Sequence, residues 1–143
     1  MISKRIGYTV GFNMLMLALV TFSFCGKKGG TTPADPCTTD PSLSITTTPA
    51  NGSTEAAAPG PTFPLRVTVS STMPASGVTI EVKAHPEGSA TNFFSDSKST
   101  TTKDNDFTIT STPSAVTCVV DIVVTSRTCG TNKWTGSYRY SKK

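Results

Sequence analysis

The sequence predicts an all-β protein, a seven-stranded antiparallel β-sandwich that follows an N-terminal signal segment. Three observations lead there. Beyond residue 30, Ser, Thr, Gly, Pro and Val dominate while Leu and Met are scarce, a composition poor for helices and good for strands and turns. No stretch there keeps apolar residues at a 3.6-residue period. Short alternating runs recur instead, about every 12–15 residues, with Gly, Pro, Asn and Asp between them.

Taken in order, Leu43–Thr46 reads as a first short strand, and Pro49-Ala50-Asn51-Gly52-Ser53 as a turn. Residues 54–61 form a loop. Phe63, Leu65, Val67 and Val69 then alternate with Pro64, Arg66, Thr68 and Ser70 as a second strand. After the turn at Met73–Gly77, Val78, Ile80, Val82 and Ala84 alternate with Thr79, Glu81, Lys83 and His85, a half-buried third strand. Thr91–Lys98 is a fourth around Phe93-Phe94, Lys103–Asp106 a turn and Phe107–Thr110 a fifth strand. In the sixth, Ala115–Ser126, Val116, Cys118, Val120, Ile122 and Val124 share one face. The seventh, Lys133–Ser141, puts Trp134, Tyr138 and Tyr140 together. Seven short strands in about 100 residues favour two packed antiparallel sheets of Ig-like or fibronectin-III-like type.

Thr48-Pro49-Ala50-Asn51-Gly52-Ser53-Thr54, followed after a gap by Phe63-Pro64-Leu65-Arg66-Val67-Thr68-Val69-Ser70, resembles the opening of bacterial Ig-like domains. Ala-rich residues 56–58 replace the Val usual between that turn and strand. The resemblance implies an Ig-like sandwich on a bacterial surface protein, acting as a spacer, adhesion or binding module. Fold alone does not choose among these.

The first 25 residues form a short basic region with Lys4 and Arg5, an uncharged apolar run from Ile6 to Phe24, and then Cys25. That is an export signal, and three readings of it stand. In a lipoprotein signal (1–24), cleavage falls before Cys25 and its thiol carries the lipid, giving an outer-membrane lipoprotein on the periplasmic or surface face. Cys25-Gly26-Lys27-Lys28 resembles lipoproteins of the Bacteroidetes type. In ordinary secretion, Ser23-Phe24-Cys25 is a small-x-small site cut before Gly26. In the third reading the run is an uncleaved anchor, since 18–20 apolar residues can just span a bilayer. Residues 25–41 read as a flexible tether and 42–143 as the domain.

Four of the 13 Lys and Arg residues lie at or before Lys28, so residues 31–143 hold nine basic and nine acidic groups. A near-neutral folded part disfavours nucleic-acid binding. With Cys25 acylated, Cys37, Cys118 and Cys129 remain. In an Ig-like sandwich the chain enters beside the last loop, so Cys37 and Cys129 meet as a disulfide. Cys118, among the inward valines, is a buried free thiol.

Candidate sites are few. One histidine, His85, is too little for a zinc site or a Ser-His-Asp triad, and it reads as a surface residue. Asp104-Asn105-Asp106 with Asp96 offers oxygen ligands for calcium, but Asx residues are ordinary turn formers. No enzyme, metal or cofactor is expected. Trp134, Tyr138 and Tyr140 either stack sugar rings or fill the core, and core packing is the stronger reading. Of the neighbours Phe93 and Phe94, one should lie outside the core and be free to meet a ligand or partner. A structural or interaction module on a lipid anchor is the leading expectation, with a protein or glycan partner; a glycan-binding surface lipoprotein is the alternative.

Overall fold

The computed structural model describes residues 34–143. The expected signal segment 1–24, Cys25 and the first part of the tether lie outside the described residues. Seven strands form two sheets: β1 (Ile45–Thr48), β2 (Phe63–Val69), β3 (Val78–Pro86), β4 (Phe94–Thr100), β5 (Asp104–Ile109), β6 (Thr117–Ser126) and β7 (Lys133–Ser141). One sheet runs β1-β2-β5 and the other β4-β3-β6-β7, every pair antiparallel. No helix is present among the described residues. The fourth strand joins the third, whereas in constant-type immunoglobulin domains it lies beside the fifth.

Period-two alternation turns the apolar residues inward. Leu65, Val67 and Val69 of β2 and Phe107 and Ile109 of β5 face Val78, Ile80, Val82 and Ala84 of β3 and Cys118, Val120, Ile122 and Val124 of β6, all in one cluster with Tyr138 and Tyr140. Each fully buried Val, Leu or Ile contributes about 1.5–3 kcal/mol of transfer free energy. Cys118 is the buried free thiol expected for it, its pKa pushed up by burial.

The chain changes sheets at the end of β1. The Ser70 amide donates to the Ser44 carbonyl at 2.8 Å, so the even-numbered residues of β2 bond toward β1. Thr68 and Arg66 continue that ladder, but the next position is Pro64, which has no N–H. β1 stops there, and residues 51–58 run parallel along the outer edge of β7 instead. Gly52 N–H donates to Ser137 O (2.7 Å), Glu55 N–H to Arg139 O (2.9 Å) and Ala58 N–H to Ser141 O (2.9 Å), while Arg139 N–H donates to Ser53 O (2.9 Å). The Asn51 side-chain oxygen accepts from Ser137 N–H at 2.9 Å. Gly52 turns the chain with φ +79°. The segment read from sequence as a loop is therefore an edge cover for β7.

The opposite edge is protected differently. On β4, Asp96 and Lys98 pair with Val82 and Ile80 and so lie on the core-side face, though both are exposed. Inward-facing charges on an open edge discourage addition of a further strand.

Several expectations are corrected. Asp104, Asn105 and Asp106 belong to β5, not to a turn, because β2 supplies their partners. The Thr68 hydroxyl donates to Asp104 (2.7 Å), and Arg66 holds Asp106 by two bonds of 2.7 and 3.0 Å. Asn105 points inward and caps the preceding turn by donating to Thr102 O at 3.0 Å. β1 is shifted two residues along, and the sixth strand starts at Thr117. Val116 is 38% exposed, following a left-handed Ala115 (φ 57°). Residues 37–41, read as tether, and Leu43, read as the start of the first strand, are fixed by the Cys37–Cys129 disulfide and by Asn132. The Asn132 side chain donates to Asp40 Oδ2 (2.5 Å) and Pro41 O (2.8 Å) and accepts from Leu43 N–H (3.3 Å).

Ile122 pairs with Val82 at the middle of the core and is 1% exposed. Ile122→Ala should lower the unfolding free energy by about 2–5 kcal/mol in chemical denaturation. Val116→Ala, on the exposed bend before the same strand, should change it by less than about 0.5 kcal/mol.

Candidate functional site

The departure of β1 from its sheet leaves a cleft of about 590 Å³ beside the first residues of β2. Its lining is assembled from three places. Thr48 and Pro49 end β1, Phe63, Pro64, Leu65 and Arg66 come from β2, and Asp106, Phe107 and Thr108 come from β5, with Glu55 reaching in from the edge segment. The apolar part is Phe63, Leu65 and Phe107, and Phe63 packs against Tyr140 with ring centroids 4.1 Å apart.

The charged groups here are matched to one another. Arg66 and Asp106 form a two-pronged ion pair, which raises the guanidinium pKa and lowers the carboxyl pKa, chiefly through their mutual hydrogen bond. Glu55 accepts the Ser53 hydroxyl at 2.6 Å. An apolar floor with a few polar groups at its rim suits reversible binding by shape and contact. Of these residues only Asp106 was weighed from sequence, as an oxygen ligand for calcium, and it is instead paired with Arg66. The one available signal was Pro64 at an even position, which marks where strand pairing must stop, but its partner strand could not be known.

The aromatic residues weighed as a ligand platform do not form an exposed strip, and Tyr138 and Tyr140 fill the core as the stronger reading expected. Tyr138 and Tyr140 are each 1% exposed and lie inside the core, so neither offers a face to a sugar ring. The Tyr140 hydroxyl shares a buried hydrogen bond of 2.7 Å with Thr112, and burial drives both phenol pKa values up. Trp134, Phe93 and Phe94 are half-buried and pack on the core from its margins. Trp134 lies along its own strand over Gly136, where a β-carbon would collide with the indole ring. Phe93 and Phe94 do not split between faces as alternation predicts. The Phe93 amide donates at 2.9 Å to the carbonyl of Ala84, the residue that Phe94 already pairs with. Two residues oppose one, the geometry of a β-bulge, and both rings pack against the core.

A second polar cluster occupies the outer face of the four-stranded sheet. His85 sits beside Val119, which in turn pairs with Arg139, and Asp121 lies one pair further along. The His85 Nδ1 meets the Pro86 carbonyl at 2.9 Å and Nε2 meets Asp121 Oδ2 at 3.0 Å. Arg139 donates from Nε to Glu87 at 2.7 Å. Both ring nitrogens of His85 are engaged, which leaves neither to activate a nucleophile or ligate a metal. Among the described residues, no group of three or more His, Cys, Asp or Glu is arranged to hold a metal ion.

Both contacts favour the charged imidazolium. The pKa of His85 is raised above its ordinary 6.5, first by the Pro86 carbonyl and then by Asp121, against partial burial. A raised folded pKa stabilises the fold fully below pH 6.5, and that contribution is lost as pH rises through the folded value. An NMR titration of the His85 ring should show a midpoint above 6.5, moved downward by Asp121→Asn. A wild-type midpoint at or below 6.5 would contradict the geometry.

Comparison of the chain with protein-family models, with curated proteins and with solved structures returned no match.

Proposed function

We propose that this chain is a non-enzymatic envelope or cell-surface lipoprotein whose Ig-like sandwich serves as a structural and interaction module of the adhesion type. Cys25 carries the lipid that holds it to the membrane, the residues that follow it are the tether, and the sandwich meets a protein partner. The observation that carries this reading is the Cys37–Cys129 disulfide. It uses two of the four cysteines, and Cys118 is buried as a free thiol, which leaves Cys25 at the end of the apolar run for another role. A structural disulfide is characteristic of oxidising compartments, in keeping with export.

The non-enzymatic part rests on the saturation of the polar clusters. His85, Asp121, Arg139 and Glu87 bind one another, as do Arg66 and Asp106. The cleft beside β2 and the flat outer face of β3, β6 and β7 are the surfaces offered to a partner. Glycan stacking on an aromatic strip has no specific observation in its favour, since two of the five candidate rings are inside the core and three pack against it.

Growth of expressing cells with a radioactive fatty acid tests the anchor. The wild-type chain should be labelled and the Cys25→Ala chain should not. An unlabelled wild-type chain would overturn the lipoprotein reading in favour of secretion or an uncleaved anchor.

A further inference from the structure

The topology places a covalent short cut through the domain. Cys37 lies ahead of β1 and is bonded to Cys129, in the turn that leads directly into β7. Reaching Lys143 from Cys37 along the backbone means passing through all seven strands. Through the disulfide it means passing through Cys129, the turn Gly130–Asn132 and β7 alone. The 92-residue interval between the two cysteines, which holds β1 to β6, is outside that path.

The path also has almost no slack. A strand rises about 3.3–3.4 Å per residue, close to the roughly 3.3–3.6 Å limit of a fully stretched chain. β7 therefore lengthens very little under tension along its axis. Its ends point the right way, since Lys133 adjoins the disulfide-bearing turn and Ser141 lies at the other end of the strand. β7 is also held on both edges, by nine residue pairs to β6 and by the 51–58 segment along its outer side. The weakest element, the four-residue β1, lies inside the bypassed interval.

We infer that the domain is built to carry tension: a load entering ahead of Cys37 and leaving at the C-terminal end of β7 runs through the disulfide and an already extended strand and bypasses β1 to β6. This rests on the anchored-module reading for its biological sense. Its test does not depend on lipid attachment.

The full chain, with one handle inserted between Pro33 and Ala34 and another after Lys143, is stretched as a single molecule. Oxidised protein should show no step longer than about 20 Å, since only the short turn and the last residues can straighten. Adding reductant to the same molecule should add the bypassed interval, 92 residues in sequence separation, to the path and release about 300 Å, about a fifteenfold change. Cys37→Ser should give the long step without reductant. Two results would overturn the inference: a long step in the oxidised molecule, or no long step after reduction at forces that leave the handles intact. The second would mean that non-covalent structure bears the load unaided. Loss of fatty-acid labelling, in contrast, would remove the anchor and leave this inference standing.

Discussion

The arrangement of this domain depends on the bond between Cys37 and Cys129. It joins the segment ahead of the first strand to the turn ahead of the last one, and so closes almost the whole fold into a loop. In the chain-entropy view, a loop of this size removes about 4–5 kcal/mol worth of freedom from the unfolded chain. That is a large share of the 5–15 kcal/mol by which a typical domain is stable. Its local setting shows how the site is prepared. The Asn132 side chain grips Asp40, Pro41 and Leu43, and the Ser126 hydroxyl accepts from the amides of Thr128 and Cys129 at 3.1 and 3.2 Å. The N-terminal segment is thereby seated at the β6–β7 turn by side chains as well as by sulfur.

The second constraint is Pro64. By lacking an amide hydrogen at a position that faces β1, it ends that strand after four residues. The released chain crosses to the other sheet and covers the edge of β7. The same departure of the chain leaves the cleft on one sheet and closes the exposed edge of the other. The last strand consequently has neighbours on both sides, although it is formally an edge strand. The disulfide and the edge cover converge on β7, which explains why the fold tolerates a minimal first strand.

Much of the architecture was legible in the sequence because alternation is a strong signal when one face is buried. Lys133–Ser141 was delimited as it is observed, and β2 and β3 to within a residue. The misreadings share a cause, which is that the deciding partner lies far away in sequence. Asp104-Asn105-Asp106 looks like a turn until Arg66 and Thr68 stand opposite. Residues 51–58 look like a loop until the β7 backbone supplies their hydrogen bonds. Phe93 and Phe94 look like opposite-facing neighbours until the bulge at Ala84 turns both toward the core. The cleft was illegible for the same reason, since its walls come from β1, β2, β5 and the edge segment. The Cys37–Cys129 pair was foreseen only because a fold hypothesis brought together two positions that spacing alone leaves unrelated.

The central claim is the cysteine pairing, and non-reducing peptide mapping by mass spectrometry tests it most directly. One linked species should join the peptides of Cys37 and Cys129, with Cys118 recovered as a thiol that reacts with alkylating reagent only after unfolding. A bridge that includes Cys118 would contradict it, because Cys118 could pair only if its strand were turned out of the core.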